Sequence, residues 1–259
     1  MRIQGTSLNK CDVSVIIVAL NEAHDIVDCI ESVKNWVREI IVYDSGSTDG
    51  TPDICESLGA RVYRVDWPGD GPQKNRAIDS CTSKWILCLD ADERVSESLQ
   101  FEIQSALRSE SKNAAYSMPR SSSFCGTFMR HSGWWPDRIV RLFRNGEARF
   151  SNLTTHASLQ FSGPLGKFKS PIIHYAYKDL FESISKINDY SEKGANRAFE
   201  NGKRSSLIKA IMKSLWAFFR TYILRLGFLD GKMGLVLACS NAHETWYRYL
   251  KIWLLQRDQ

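Results

Sequence analysis

The sequence predicts an α/β fold on a mainly parallel sheet, followed by a helical C-terminal region, and three observations lead there. Apolar, β-branched runs of strand length recur between residues 13 and 89; segments with helical spacing or helix-cap chemistry separate them; and beyond about residue 178 the strand pattern gives way to helical periodicity. The expected division is therefore 1–178 and 179–259.

Val13–Leu20 is a continuous apolar run of the kind buried on both faces of a parallel sheet, and it is the expected first strand. Ile26, Ile30, Val33 and Val37 then recur at spacings of four, three and four, which places them on one helix face. Glu39–Tyr43 is the second strand, ending at Asp44. After the loop 45–50, Thr51 is expected to cap a helix with Pro52 in its first turn and Gly59 beyond its end. Arg61–Val65 is the third strand. A Gly/Pro-rich turn over 67–72 leads into a short helix through Ala77, and Trp85–Leu89 is the fourth strand, ending at Asp90.

Composition narrows the class. With 43% hydrophobic and 24% charged residues in 259, the chain can bury a core and is neither disordered nor fibrous. Seven cysteines, an odd number without a CxxC pair, suit a reducing compartment and argue against a disulfide framework or a zinc ribbon. The early apolar run is followed by Asn21 and Glu22 rather than a cleavage site, so a cytoplasmic protein is expected. A net charge of +5 is too small to imply nucleic acid but suits anionic small molecules or lipid headgroups. The sequence carries no signal for an oligomeric state.

Ligands of open α/β sheets bind outside the carboxyl ends of the strands, where Asp44, Asp90 and Asp92 fall. Asp90-Ala91-Asp92 follows a buried strand, and extended geometry would point both carboxylates the same way. Such a pair suits Mg²⁺ or Mn²⁺ bridging to a diphosphate, although a capped turn would use the same residues. Asp44-Ser45-Gly46-Ser47-Thr48-Asp49 could equally be a plain turn. No glycine-rich dinucleotide loop or P-loop is present, so phosphate recognition must come from elsewhere.

Four blocks, Val15–Glu22, Asp44–Asp49, Gly71–Ala77 and Asp90–Glu93, together resemble the family 2 glycosyltransferases. Downstream, Gly133–Arg138, Arg141–Arg144, Ile173–Tyr175 and Phe219–Tyr222 are similar to bacterial lipopolysaccharide core β-glucosyltransferases, so the resemblance spans nearly the whole chain. It implies a GT-A (Rossmann-like) nucleotide-sugar-binding domain and a divalent metal, Mg or Mn. It also implies inverting transfer of a hexose, glucose foremost, from a UDP-sugar to a glycolipid acceptor such as the lipopolysaccharide inner core. The enzyme would act peripherally on the inner face of the cytoplasmic membrane. By the same resemblance Ala19, Asn21 and Glu22 line the nucleotide pocket, Asp44 contacts uracil or ribose, and Lys74 lies near the nucleotide. Asp90 faces ribose and metal, Asp92 ligates the metal, and Arg138 and Arg141 stand on the acceptor side, although surface arginines on a strand would read the same.

The chain departs from the family where relatives carry His-Glu and it reads His156-Ala157. The base is then Asp137 or His156, or a repositioned Glu147, or transfer follows a looser mechanism, or the enzyme is degenerate. Two other classes follow: a nucleotide-sugar-binding protein without turnover, and a membrane-surface scaffold for which the α/β half is vestigial. A transferase for another cell-surface polysaccharide would keep the same donor site.

In the C-terminal region Lys209, Lys213 and Arg220 fall within about 40° of one another on a helical wheel, beside a broad apolar surface with Leu215, Trp216 and Phe219. An interfacial helix would look like this, as would one packed on the catalytic domain or a partner.

Overall fold

The computed structural model describes residues 10–109, 111–153 and 157–257. They form two compact units, the first comprising Met1–Arg120 and Arg138–His174, the second Ser121–Asp137 and Tyr175–Gln259.

The first unit opens with β1 (Cys11–Ala19), α1 (Ile26–Glu31), β2 (Val37–Asp44), α2 (Thr51–Ser57), β3 (Arg61–Arg64), α3 (Asp70–Asp79) and β4 (Trp85–Asp90). The four strands lie parallel in the order β3-β2-β1-β4. Alternation along β1 divides the core. Val13, Val15 and Ile17 pack with Ile26, Cys29 and Ile30 of α1, whereas Ile16 packs with Ile41, Ile86 and Cys88 against Ala77 and Ile78 of α3.

Local expectations fail at the element ends. The first helix stops at Glu31, and Val37 instead starts β2 opposite Cys11. Gly50, in the left-handed region at φ 87°, caps α2 in place of Thr51. The expected 67–72 turn already holds the first turn of α3, where Pro72 lacks only an amide that needs no partner.

The chain continues through β5 (Glu93–Val95), α4 (Glu97–Arg108), β6 (Ala115–Phe124), β7 (Thr127–Phe128), β8 (Asp137–Arg144), β9 (Ala148–Phe150), β10 (Leu159–Phe161), β11 (Leu165–Lys167) and β12 (Ile172–Tyr177). The sheet runs β3-β2-β1-β4-β8-β6-β12-β5. It is parallel through β4 and then mixed, since β8 is antiparallel to β4, with Leu87 opposite Leu142, and β12 is antiparallel to β5, with His174 opposite Glu93.

The second unit carries α5 (Leu180–Glu200), α6 (Leu207–Phe219), a π-helical turn over Arg220–Leu224, a 3₁₀ turn over Gly227–Asp230 and α7 (Gly231–Leu255). Asp179 and Ser206 cap α5 and α6, accepting from the amides of Glu182 and Lys209 at 2.8 and 3.2 Å. Gly234 lies so close to Gly227 that a β-carbon there would sit 1.8 Å from the Gly227 carbonyl oxygen. Within this unit the Asp230 carboxylate accepts from the amides of Arg130 and His131 at 3.0 and 3.1 Å and from Ser132 Oγ at 2.8 Å, which ties residues 130–132 to the start of α7. Among the described residues no helix is long and apolar enough to cross a membrane.

Candidate functional site

Register assembles the site in the first unit. Ala19 pairs with Asp44 and Val18 with Asp90, so the ends of β2 and β4 flank the end of β1, about 10 Å apart across two strand spacings. Paired residues share a face and successive ones alternate, so Asp90 sits on the α3 side of the sheet and Asp44 on the other.

Asp44 is buried and organises the loop behind it. Its Oδ1 accepts from the amides of Gly46 and Ser47 at 3.1 and 3.0 Å, and its Oδ2 accepts from the Ser47 hydroxyl. Ser47 Oγ then accepts from the Asn21 amide at 2.8 Å, and Asn21 Oδ1 accepts from the Thr48 amide at 2.8 Å. Asn21 tolerates its left-handed φ of 56° because of its short polar side chain. Asp49 accepts from the Ala23 amide and the Thr51 hydroxyl, and Thr51 Oγ1 accepts from the Glu22 amide. The loop is thus a hydrogen-bonded lattice that splices the ends of β1 and β2, not a plain turn. Asp44→Ala leaves three donors without their acceptor and is expected to cost about 2 kcal/mol in denaturant unfolding, with Asp44→Asn costing less because Oδ1 remains.

On the α3 side, Lys74 stands 2.8 Å from Asp70 Oδ1 and 3.8 Å from Asp90 Oδ1, its ammonium 5.3 Å from the centre of the Phe150 ring. Arg141, on β8, donates to Asp90 Oδ2 and to Glu93 Oε1, the latter at 2.7 Å, and the other Glu93 oxygen accepts from the Asp90 amide at 3.1 Å. Arg120 lies 3.7 Å from the same fully buried Glu93. Burial pushes the Asp90 carboxyl up, but the charges of Arg141 and then Lys74 outweigh it and hold the group down at about 2. For Glu93 burial wins, and its carboxyl is raised despite Arg141. Burial alone would lower Lys74, yet Cys88, then Asp90 and the hydrogen bond to Asp70, keep it raised. The result is a largely dry group of three cations among carboxylates, opening to solvent at Asp90.

The pair Asp90 and Asp92 is not held in extended geometry as expected. Ala91 and Asp92 form a turn between β4 and β5, and the two carboxylates take different partners. Asp92 Oδ2 is 3.3 Å from His174 Nε2, while its buried Oδ1 has no hydrogen-bond partner. A carboxylate oxygen with no donor is costly unless something positive meets it, so Asp92 suits a cation, with the His174 imidazole beside it. Asp90 is taken up by Arg141 and Lys74. Among the described residues no three His, Cys, Asp or Glu side chains converge as a ready metal cage. A divalent ion here would therefore take much of its coordination from its ligand, as Mg²⁺ does with phosphates.

The remaining expected residues scatter. Arg138, an odd number of positions from Arg141, points the other way and donates to the carbonyls of Ser117 and Phe168 at 2.9 and 2.8 Å. Asp137 opens β8 and belongs to the second unit. His156 lies outside the described residues. Ala157 offers only a methyl side chain; its amide donates to Asp70 Oδ2 at 3.0 Å. Gly71 is pressed against this stretch, since a β-carbon there would lie 1.8 Å from the Ser151 carbonyl oxygen. Sequence reasoning gave no role to Asp70, Glu93, Arg120 or His174. Glu93 was visible as the third carboxylate after β4, and Asp70 as the residue one helical turn before Lys74.

Residues 14–167 match the sequence pattern of glycosyl transferase family 2. An uncharacterized glycosyltransferase of Rickettsia felis is 32% identical over 256 residues, covering 93% of this chain and 89% of the relative. LpsC of Rhizobium meliloti, a lipopolysaccharide core biosynthesis glycosyltransferase, is 28% identical over 259 residues, covering 93% and 94%. The crystal structure of glucosyl-3-phosphoglycerate synthase from Mycobacterium tuberculosis, in complex with Mn²⁺, UDP and glucosyl-3-phosphoglycerate, shares 26% identity and a TM-score of 0.35 over 44% of each chain, an overlap too partial to carry an argument.

Proposed function

The chain belongs to glycosyl transferase family 2, and from that premise we propose that it is an inverting, metal-dependent hexosyltransferase. It would move glucose from UDP-glucose to a glycolipid of the lipopolysaccharide core at the inner face of the cytoplasmic membrane. The observation that carries the donor half is the buried, unpartnered Asp92 oxygen beside His174 at a strand end. Full-length similarity to LpsC supports the acceptor half.

In this reading the lattice of Asn21, Asp44 and Ser47 presents a fixed edge to the nucleoside, with Ala19 and Glu22 beside it. Asp92 and His174 would hold a divalent ion, which supplies charge neutralisation for a departing diphosphate. Lys74 and Arg141 offset the charge of Asp90 and fix that carboxylate's direction. Asp137 or His156 would take the proton of the acceptor hydroxyl.

A second reading, binding without turnover, is favoured by one observation: Ala157 has no carboxylate where the family resemblance implies a glutamate. Calorimetric titration of UDP and UDP-glucose with and without Mn²⁺, followed by a transfer assay on core glycolipid, separates the readings. Metal-dependent binding with transfer supports the transferase. Binding alone, with transfer appearing only in Ala157→Glu, supports the second, and no UDP binding under any metal condition overturns both.

A further inference from the structure

Helix α6 is built inside out for a helix facing water. Its buried face consists of small residues, Ala210 and Ala217, with Ser214 between them donating from Oγ to the Ala242 carbonyl of α7 at 2.9 Å. Thr221 continues that line and accepts from Asn241 Nδ2 at 3.3 Å. Its large apolar side chains point outward: Ile208 is 75% exposed, Met212 and Leu215 61% each, Trp216 51%, and Ile211 and Phe219 over 40%. At 100° per residue the buried line occupies about 280–340° and the outward apolar side chains about 40–180°, with Leu207 at the start. Lys209, Lys213 and Arg220, all exposed, fill the wedge between, at about 200–240°. Leu224, at the end of the π-helical turn, and Leu226, Phe228 and Leu229 beyond it extend the exposed apolar surface.

Charge identifies what covers this face. Residues 201–229 contain six Lys and Arg and no Asp or Glu, in a chain where the totals are 34 and 29. A second copy packed about a two-fold axis would set this surface against itself and oppose cation to cation. A sheet of negative headgroups over hydrocarbon complements both the charge and the apolarity, and small residues toward the protein with large ones outward is how helices pack where lipid replaces water. Among the described residues no helix is long and apolar enough to cross a bilayer, so the contact fits the plane of the surface.

We propose that α6 and the turns following it form a docking surface for an anionic lipid bilayer, with Ile208, Ile211, Met212, Leu215, Trp216 and Phe219 entering the headgroup–acyl boundary and Lys209, Lys213 and Arg220 meeting anionic headgroups. It deepens the glycolipid-acceptor reading, yet stands on residues of the second unit alone.

The test is flotation of the full chain with vesicles of equal parts phosphatidylglycerol and phosphatidylcholine, and with phosphatidylcholine alone. Binding is expected only to the anionic vesicles, to weaken with salt, and to fall on the order of a hundredfold in Lys209→Gln/Lys213→Gln/Arg220→Gln, at about fivefold per cation. Leu215→Gln/Trp216→Gln should lose at least about tenfold through the apolar contact. The blue shift of tryptophan emission on vesicle binding should shrink in Trp216→Phe, which still binds. The proposal is overturned if neither vesicle binds, if the triple-Gln and Leu215→Gln/Trp216→Gln variants bind as well as the parent, or if the parent is a dimer that Leu215→Gln dissociates while vesicles stay unbound. UDP titration of the same variants separates the two readings: intact UDP binding with failed docking removes only the membrane surface, and docking without UDP binding removes only the donor site.

Discussion

Arg141→Met is expected to destabilise the first unit by about 3–5 kcal/mol, the range for removing one partner of a buried ion pair. The guanidinium is 9% exposed and joins Asp90 to a Glu93 side chain with no exposure at all. Without it Glu93 keeps a buried charge with Arg120 standing off at 3.7 Å. The pH dependence identifies the cause. In the parent, Asp90 is held near 2, so its pairing contributes stability that is present above about pH 4 and lost as pH falls through 2. In the variant Glu93, whose carboxyl burial already raises in the parent, loses the charge that opposed burial, and its folded-state value moves further above the unfolded one. The unfolded chain then releases its protons first, and stability falls as pH rises from about 4. The gap between the two proteins should be widest near neutrality and close toward pH 4 in thermal melts. Adding Glu93→Gln to Arg141→Met removes one buried charge and should recover part of the loss. A gap independent of pH would mean that packing, and not charge, is what Arg141 supplies.

Asp92→Asn is the second large effect, and it separates function from stability. The side chain keeps its shape, and the Oδ1 position already has no hydrogen-bond partner to lose, so the melting temperature should hardly move. Metal-dependent UDP-glucose binding should disappear, and transfer should fall by about a thousandfold or more, the several kcal/mol a metal contributes to a developing diphosphate charge. His174→Gln should cost less, about ten- to a hundredfold, as for a residue that supports or shares a ligand set. Unchanged metal-dependent affinity in Asp92→Asn would remove Asp92 from the metal site.

What could be read in advance tracks how locally each feature is encoded. β1, β2 and β4 announce themselves because strands buried on both faces are continuous apolar runs such as Val-Ile-Ile-Val and Trp-Ile-Leu-Cys-Leu. β9, β10 and β11 are three residues long, with sequences Ala-Arg-Phe, Leu-Gln-Phe and Leu-Gly-Lys that carry no period to detect. β6 hides behind a Pro-Arg-Ser-Ser-Ser run. Nor does any composition shift mark 121–137, which group with the C-terminal helices.

By itself the sequence determined the family, the parallel α/β start of the fold and the strand-end carboxylates Asp44, Asp90 and Asp92, because each is a pattern written within a few adjacent residues. Tertiary structure alone decided the use of Asp90 and Asp92. Arg141 lies 48 positions from Glu93 and reaches it only because β8 docks antiparallel on β4, and His174 meets Asp92 only because β12 lies beside β5. Asp44 differs, since its partners Gly46 and Ser47 lie two and three positions along the chain, whereas the Arg141 and His174 contacts depend on which donor the fold brings within about 3 Å, a distance not written along the chain.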